Sequence, residues 1–361
     1  MTIRSLILAL LIVLLGSSAA GAQTGLRVLA TTSIVADVAQ NIAGDQFTID
    51  SLVPLGADTH AFEPAPADVA RVAGADILLT VGAGYEAFLG DLLRNVASDS
   101  VQVVVVSEGL EILGTADDHS HEGDHQDATA PMATEEAEAD HAHAGEDAHL
   151  GVLGADLECE PHDDHDHGKR ASKHGDEAHT HGDCDPHVWL DPASVIVWAN
   201  NIADAFSAAD PANAAVYRAN ADAYIAQLEA LQVEIAEQVA RVPEAARILV
   251  TNHEFLGYFA HAYGFEVVGT VLPGATTGAE PDPQTLAALV ELIRSEGVRA
   301  IFAEVSANPR LAGIVAEEAG IAVVTTLYTE SLSAAGEPAS TYIDYMRYNV
   351  GQIVDALTAD G

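Results

Sequence analysis

The feature that most constrains the fold is an alternation met twice along the chain. Short runs rich in valine, isoleucine and leucine alternate with amphipathic stretches, first over residues 26–106 and again over residues 247–357. In the first block Leu26–Thr32, Phe47–Val53, Ile77–Val81 and Val101–Val106 read as strands. Ile34–Ala43 (capped by Ser33), Ala67–Ala73 and Tyr85–Asn95 read as helices. In the second block Arg247–Thr251, Glu266–Val271, Ala300–Val305 and Ile321–Thr326 are strands, and the helices are Leu256–Tyr263, the segment opened by Asp282-Pro283, Pro309–Ala319 and Tyr342–Leu357. Continuous β-branched runs alternating with helices predict parallel sheets covered on both faces. Between the blocks, Tyr224, Leu228, Leu231, Ile235 and Val239 mark one face of a single long helix. Asp210 and Pro211 serve as its start and Pro243 as its stop. At 1.5 Å per residue, about 30 residues would span ~45 Å. The fold class is therefore α/β: two parallel-sheet lobes bridged by one long helix. The expected division is 1–22 leader, 23–200 first lobe, 210–242 linking helix and 243–361 second lobe.

The leader is an address. A basic start at Met1–Arg4, an apolar run Leu6–Leu15 and the small-residue end Ala20-Gly21-Ala22 form a secretory signal pattern. The apolar run falls short of the ~20 residues of a membrane span. No cysteine stands near the cleavage point for a lipid anchor. The mature protein is expected outside the cytoplasmic membrane, starting near Gln23.

Charge narrows the partners. The 361 residues hold 14 Lys and Arg against 55 Asp and Glu, a net −41, which argues against nucleic acid and anionic membrane surfaces and in favour of cations. Residues 115–185 alone hold 12 histidines, 21 acids and 3 basic residues, or 3 − 21 = −18. With almost nothing to bury, this segment reads as a disordered surface insert. Its His119, His121, His125, His141, His143, His162, His165, His167, His179 and His181 are candidates for weak auxiliary metal binding. The alternative is an acidic solubilising tract. Cys159 and Cys184, the only two cysteines, lie in it; they form a disulfide or bind metal weakly with its histidines.

Four histidines remain outside the insert: His60, His187, His253 and His261. The first three follow strands or lie in loops between elements, and open α/β sheets build their sites at the carboxyl ends of strands. His261 lies within a helix and reads as structural. Three imidazoles from separate loops suit Zn²⁺, with one further ligand closing a tetrahedron; Glu330, after the last strand, is a candidate for that place, with water as the alternative. Glu63 and Glu304 are structural acids or partners that orient a ligating imidazole. Tyr85 and Trp189 read as packing residues.

The motifs Asp58-Thr59-His60-Ala61-Phe62-Glu63-Pro64, Asp185-Pro186-His187-Val188-Trp189-Leu190-Asp191-Pro192, Asn252-His253-Glu254-Phe255-Leu256-Gly257-Tyr258-Phe259-Ala260, Ile301-Phe302-Ala303-Glu304 and Leu327-Tyr328-Thr329-Glu330-Ser331-Leu332 are read together. In order and spacing the chain resembles the periplasmic solute-binding proteins of metal-ion ABC transporters, of the zinc-uptake type. The resemblance implies a metal held between two lobes by His60, His187, His253 and a carboxylate at Glu330, where the family usually has aspartate. It also implies a histidine-rich acidic insert before the second ligand loop. Manganese-type relatives tend to carry a carboxylate where His253 stands. The expected protein is not an enzyme but a monomeric receptor that captures Zn²⁺ and hands it to a membrane permease. The rivals are a manganese or iron receptor, a zinc hydrolase using three histidines and an open position, and an adhesion protein with a structural metal; no H-E-x-x-H motif occurs.

Overall fold

The computed structural model describes residues 25–90, 101–114, 184–274, 277 and 281–359. The leader, nearly all of the insert and the end of the helix expected over Tyr85–Asn95 lie outside the described residues.

Two four-stranded parallel sheets are present, with the same strand permutation. The first contains β1 (Val28–Ala30), β2 (Asp50–Ser51), β3 (Ile77–Thr80) and β4 (Gln102–Val105) in the order β2-β1-β3-β4. The second contains β5 (Ile248–Thr251), β6 (Glu266–Thr270), β7 (Ala300–Glu304) and β8 (Ala322–Leu327) in the order β6-β5-β7-β8. In each sheet the order reverses beside the first strand, which opens a crevice at the strands' carboxyl ends.

Strand pleating divides the core into layers. Val28, Ala30, Ile77 and Leu79 point inward to one large cluster, whereas Leu29 and Leu78 point outward to a smaller one with Leu52 and Val72 of α2 (Pro66–Ala73). The second sheet repeats this: Leu249, Ala300 and Phe302 point inward, and Val250, Ile301 and Ala303 outward, under helices α6 (Pro283–Glu296) and α7 (Arg310–Ala319). Alternate side chains of a strand face opposite sides, so each sheet is covered twice. The inward cluster is continuous between the lobes, through Trp189, Trp198, Phe255, Tyr342 and Tyr345.

Helix α4 (Ala214–Val239, 26 residues) bridges the lobes and at 1.5 Å per residue is ~39 Å long. It buries Tyr217, Ala221, Tyr224, Leu228, Leu231, Ile235 and Val239. Near its start Asn220 donates to Ile42 O of α1 (Ser33–Ala43), and further along Glu234 pairs with Arg347 of α8 (Tyr342–Thr358). It begins later than the Asp210-Pro211 start expected from sequence. The Asp210 carboxylate is occupied by Asn213 Nδ2 (2.6 Å) and Tyr217 OH (2.8 Å), which pins the preceding turn instead. Helix α3 (Pro192–Ala209), of which the sequence announces only the Asp191-Pro192 start, packs alongside α4; Asp191 caps it by accepting from Ala193 N.

Other boundaries shift for local reasons. Thr32, not Ser33, caps α1, because the Ser33 hydroxyl accepts from Leu332 N of the other lobe. The strand expected over Phe47–Val53 is regular only at Asp50–Ser51, although Leu52 N and Val53 N still donate to Ala30 O and Thr31 O. Tyr85–Leu89 forms 3-10 turns kinked at Glu86, whose backbone (φ −82°, ψ 26°) is not helical. Asp282 and Gly297 cap α6 as the sequence indicates. No helix among the described residues is long and apolar enough to cross a membrane.

Candidate metal centre

His60, His187, His253 and Glu330 converge. One ligand atom from each lies within 4.8 Å of all the others. The imidazole centroids form a near-equilateral triangle, 5.9 Å for His60–His187, 5.5 Å for His60–His253 and 5.3 Å for His187–His253. Each residue reaches the cleft from a strand's carboxyl end or the base of the insert. His60 follows β2, His187 follows the insert, His253 stands two residues after β5 and Glu330 three after β8.

Two of the loops use the same device. In Asp58-Thr59-His60 and Asp185-Pro186-His187 the aspartate Oδ1 accepts the histidine backbone N–H, at 3.0 and 2.9 Å. This two-residue turn is the known habit of aspartate before a bend. Asp185 Oδ1 also stands 2.8 Å from His187 Nδ1, while Glu304 Oε1 stands 3.1 Å from His253 Nδ1. A carboxylate on Nδ1 fixes the tautomer and leaves Nε2 as the free donor. Gly257 makes room for this. A Cβ at Gly257 would overlap Asp185 Oδ2, so only glycine lets α5 (Gly257–Tyr263) approach Asp185.

The inward atoms are left without partners. Nε2 of all three histidines and Oε1 of Glu330 are buried with no hydrogen bond. His60 Nε2 and Glu330 Oε1 are only 2.7 Å apart, but outside hydrogen-bond geometry; both aim at a common centre. Buried polar atoms lacking partners are rare, and an ion is what would satisfy four at once. A tetrahedral ion at ~2.0–2.1 Å from each would set the donors ~3.3 Å apart, so no pair need close by more than about 0.75 Å per partner, while His60 Nε2 and Glu330 Oε1 would move apart. His187 and His253 are fully buried, whereas the His60 side chain keeps 12% exposure and forms the solvent edge.

The surroundings tune the donors differently. Burial lowers the His187 pKa, against the opposing pull of Asp185. Burial also lowers that of His253, but the Glu304 hydrogen bond and the charges of Glu304, Glu330 and Asp58 outweigh it and leave the pKa above its ordinary value. Burial raises the Glu330 carboxyl, yet His60 first, then His253 and His187, bring it down to about 2. Glu330 therefore stays ionised, and protons compete with a metal at the imidazoles.

Of the remaining sequence candidates, Glu304 is at the site and Glu63 is exposed outside the converging four. His261 is exposed in the last turn of α5. Tyr85 and Trp189 belong to the apolar core and pack against the imidazoles. The Tyr85 ring lies 6.0 Å from His60 and 4.9 Å from Trp189, which lies 5.4 Å from His187. No local pattern marks Gly257, whereas the repeated Asp-x-His spacing carries the signal for Asp185. Of the insert, only its end is described. Gly114 and Cys184 pair in an antiparallel bridge, and Cys184 is disulfide-bonded; Cys159 and the insert histidines lie outside the described residues.

Two like α/β lobes that close on a buried set of metal-ligating atoms define a class, the metal substrate-binding proteins of ABC transporters. Residues 28–356 match the ZnuA family, described as zinc-uptake complex component A, periplasmic, and the chain belongs to that family. Its relatives include the manganese-binding lipoprotein MntA of Halalkalibacterium halodurans, 28% identical over 334 residues, covering 92% of this chain and 89% of that one. Another is the iron ABC transporter substrate-binding lipoprotein MtsA of Streptococcus pyogenes, 27% identical over 353 residues, covering 95% and 94%. Among solved structures, the periplasmic zinc-binding protein TroA of Treponema pallidum shares the fold with a TM-score of 0.69 at 22% identity, covering 93% of this chain and all of that one. The Mn-bound periplasmic metal-binding protein of Candidatus Liberibacter asiaticus gives 0.67 at 23% identity, covering 91% and 98%.

Proposed function

We propose that this protein captures Zn²⁺ outside the cytoplasmic membrane and delivers it to an ABC permease. His60, His187, His253 and Glu330 are the ligands in this reading, and Glu304 and Asp185 orient two of the imidazoles. The observation that carries it is the donor set, three unpartnered imidazole nitrogens and one carboxylate oxygen. Four donors of this kind make a closed tetrahedral zinc site, whereas manganese prefers a higher number of oxygen ligands. Relatives named for manganese and iron supply the second reading, and the third nitrogen, at His253, argues against it. The relatives are named as metal-binding or transporter substrate-binding lipoproteins, which supports a receptor and not an enzyme. Each acid at this centre is also committed to an imidazole or a backbone amide, which leaves no separate base for hydrolysis. The leader pattern at residues 1–22 supports export, and a single copy carries the whole site.

The test is metal analysis of protein purified without added metal, followed by competition of Zn²⁺ against Mn²⁺. One zinc per chain, displaced only by a large excess of manganese, is the expected outcome. A preference for manganese or iron would refute the zinc assignment.

A further inference from the structure

Glu330 differs from His187 and His253 in where its second polar atom goes. The outer nitrogens of His187 and His253 bind acids within their own lobes. Glu330, from the second lobe, accepts at Oε2 the backbone N–H of Thr59, in the first lobe beside His60, at 3.0 Å. Its Oε1 faces the three imidazoles without a hydrogen bond. Thr59 and Glu330 are both buried.

The backbone around Glu330 is fixed on both sides. Thr329 O accepts from Trp189 Nε1 (2.9 Å) and Tyr345 OH (2.6 Å). After Glu330, Ser331 Oγ accepts from Gly56 N and Leu332 N donates to Ser33 Oγ, both at 2.9 Å and both across the cleft. The carboxylate therefore has little freedom to turn. Presenting both oxygens to one ion would pull Oε2 from Thr59 and leave a buried N–H unpaired.

Building on the zinc reading above, we infer that the Thr59 amide is a specificity-determining group: it holds Glu330 to one metal-facing oxygen and so caps the protein's donors at four. Three nitrogens and one oxygen satisfy Zn²⁺. An ion that needs six oxygen-rich ligands finds neither the number nor the chemistry. The extra methylene of glutamate, where the resemblance expects aspartate, supplies the reach to span the Thr59 amide and the ion together.

Two measurements on the full chain test this. X-ray absorption and visible spectra of the Co²⁺- and Zn²⁺-loaded protein should show four ligands, with a single carboxylate oxygen and intense tetrahedral cobalt bands. Five or six ligands, with both oxygens of Glu330 bound, would overturn the inference. In the second, an ester replaces the Thr59 backbone amide, removing the N–H and keeping every side chain. The ratio of Zn²⁺ to Mn²⁺ affinity should then fall about ten- to a hundredfold, the worth of a hydrogen bond to a charged group, and the cobalt bands should weaken. Glu330→Asp, too short to span both partners, should lower the ratio in the same direction and covers the case in which the ester does not fold. An unchanged ratio and spectrum in a folded variant would overturn the inference. A manganese preference in the unmodified protein would instead refute the zinc reading, while the cobalt coordination number still judges the Thr59 lock.

Discussion

Replacing Glu304 by glutamine isolates a single charge. Glu304 Oε1 faces His253 Nδ1 at 3.1 Å and Asn252 Nδ2 at 3.2 Å, and a glutamine carbonyl oxygen can keep both contacts. What is lost is the negative charge that makes His253 a stronger donor. Removing such a partner typically costs 10- to 100-fold in metal affinity, or about 1.4–2.8 kcal/mol. The new amide NH₂ takes the place of Oε2, which is buried without a partner, and that adds a folding cost of about 1–3 kcal/mol, read separately by thermal melting. The pH dependence distinguishes charge from shape. In the unmodified protein the His253 pKa stands above its ordinary value, so protons occupy Nε2 before those of an ordinary histidine. Without Glu304 that competition weakens. Chelator-competition titrations should therefore show the largest affinity gap near pH 8 and a shrinking gap on acidification. The linkage for the metal-free protein has a definite sign. A raised histidine pKa contributes stability below ~6.5 that disappears as pH rises through the folded value, so the charge-dependent part of the melting difference should be greatest in acid. Equal affinities at pH 8, or a gap that widens as pH falls, would refute the reasoning.

His60→Ala, His187→Ala and His253→Ala should each weaken zinc binding by orders of magnitude in direct titration, and Glu330→Ala should hurt less if water can enter; near-normal affinity in a histidine variant would remove that residue from the site. Gly257→Ala touches no ligand, but its Cβ overlaps Asp185 Oδ2 and should move His187, so calorimetry should show weaker zinc binding in a chain that still folds. Excising residues 116–182 with Cys184→Ser should keep the fold and one tight site, because Gly114 already pairs with Cys184 and Asp185 N donates to Leu113 O. The excision should remove weaker, salt-sensitive zinc sites, and loss of the tight site would show that the insert belongs to the primary centre.

Much of this arrangement is legible in the sequence because its signals are local. The α6 caps at Asp282 and Gly297, the strand cores, and histidines at the ends of strands all follow from neighbouring residues. The misreadings come from contacts at long range. Asp210 is drawn away from capping by Tyr217, Ser33 by Leu332, and the short pairing of β2 depends on its neighbour β1. Helix α3 is hidden for another reason. Val195, Trp198, Ala199, Ile202, Ala203 and Phe206 are all buried, and the helix is apolar over a wide arc, so no single stripe stands out. The role of Gly257 depends on Asp185, 72 residues away, and no local pattern encodes it.

The ligand geometry also limits how the lobes can move. His60 and His187 come from one side of the cleft, and His253 and Glu330 from the other, so an ion bound by all four would link the lobes two to two. Other ties across the cleft remain without it. Thr59 N donates to Glu330, Gly56 N to Ser331, Leu332 N to Ser33, and Leu113 N to Tyr258 OH. Behind them the apolar core runs unbroken between the sheets, and Tyr342 OH donates to Trp189 O while Trp189 Nε1 donates to Thr329 O. Opening the lobes widely would wet these aromatic rings, at about 25 cal/mol for each Å² exposed. It would also strand several buried donors. Displacing the short ligand loops is far cheaper, because the loops are held by a few hydrogen bonds and His60 already borders solvent. An ion held by these four side chains would therefore be reached at least cost by displacing the loop at the His60 edge, while α4 and the shared core hold the lobes in place.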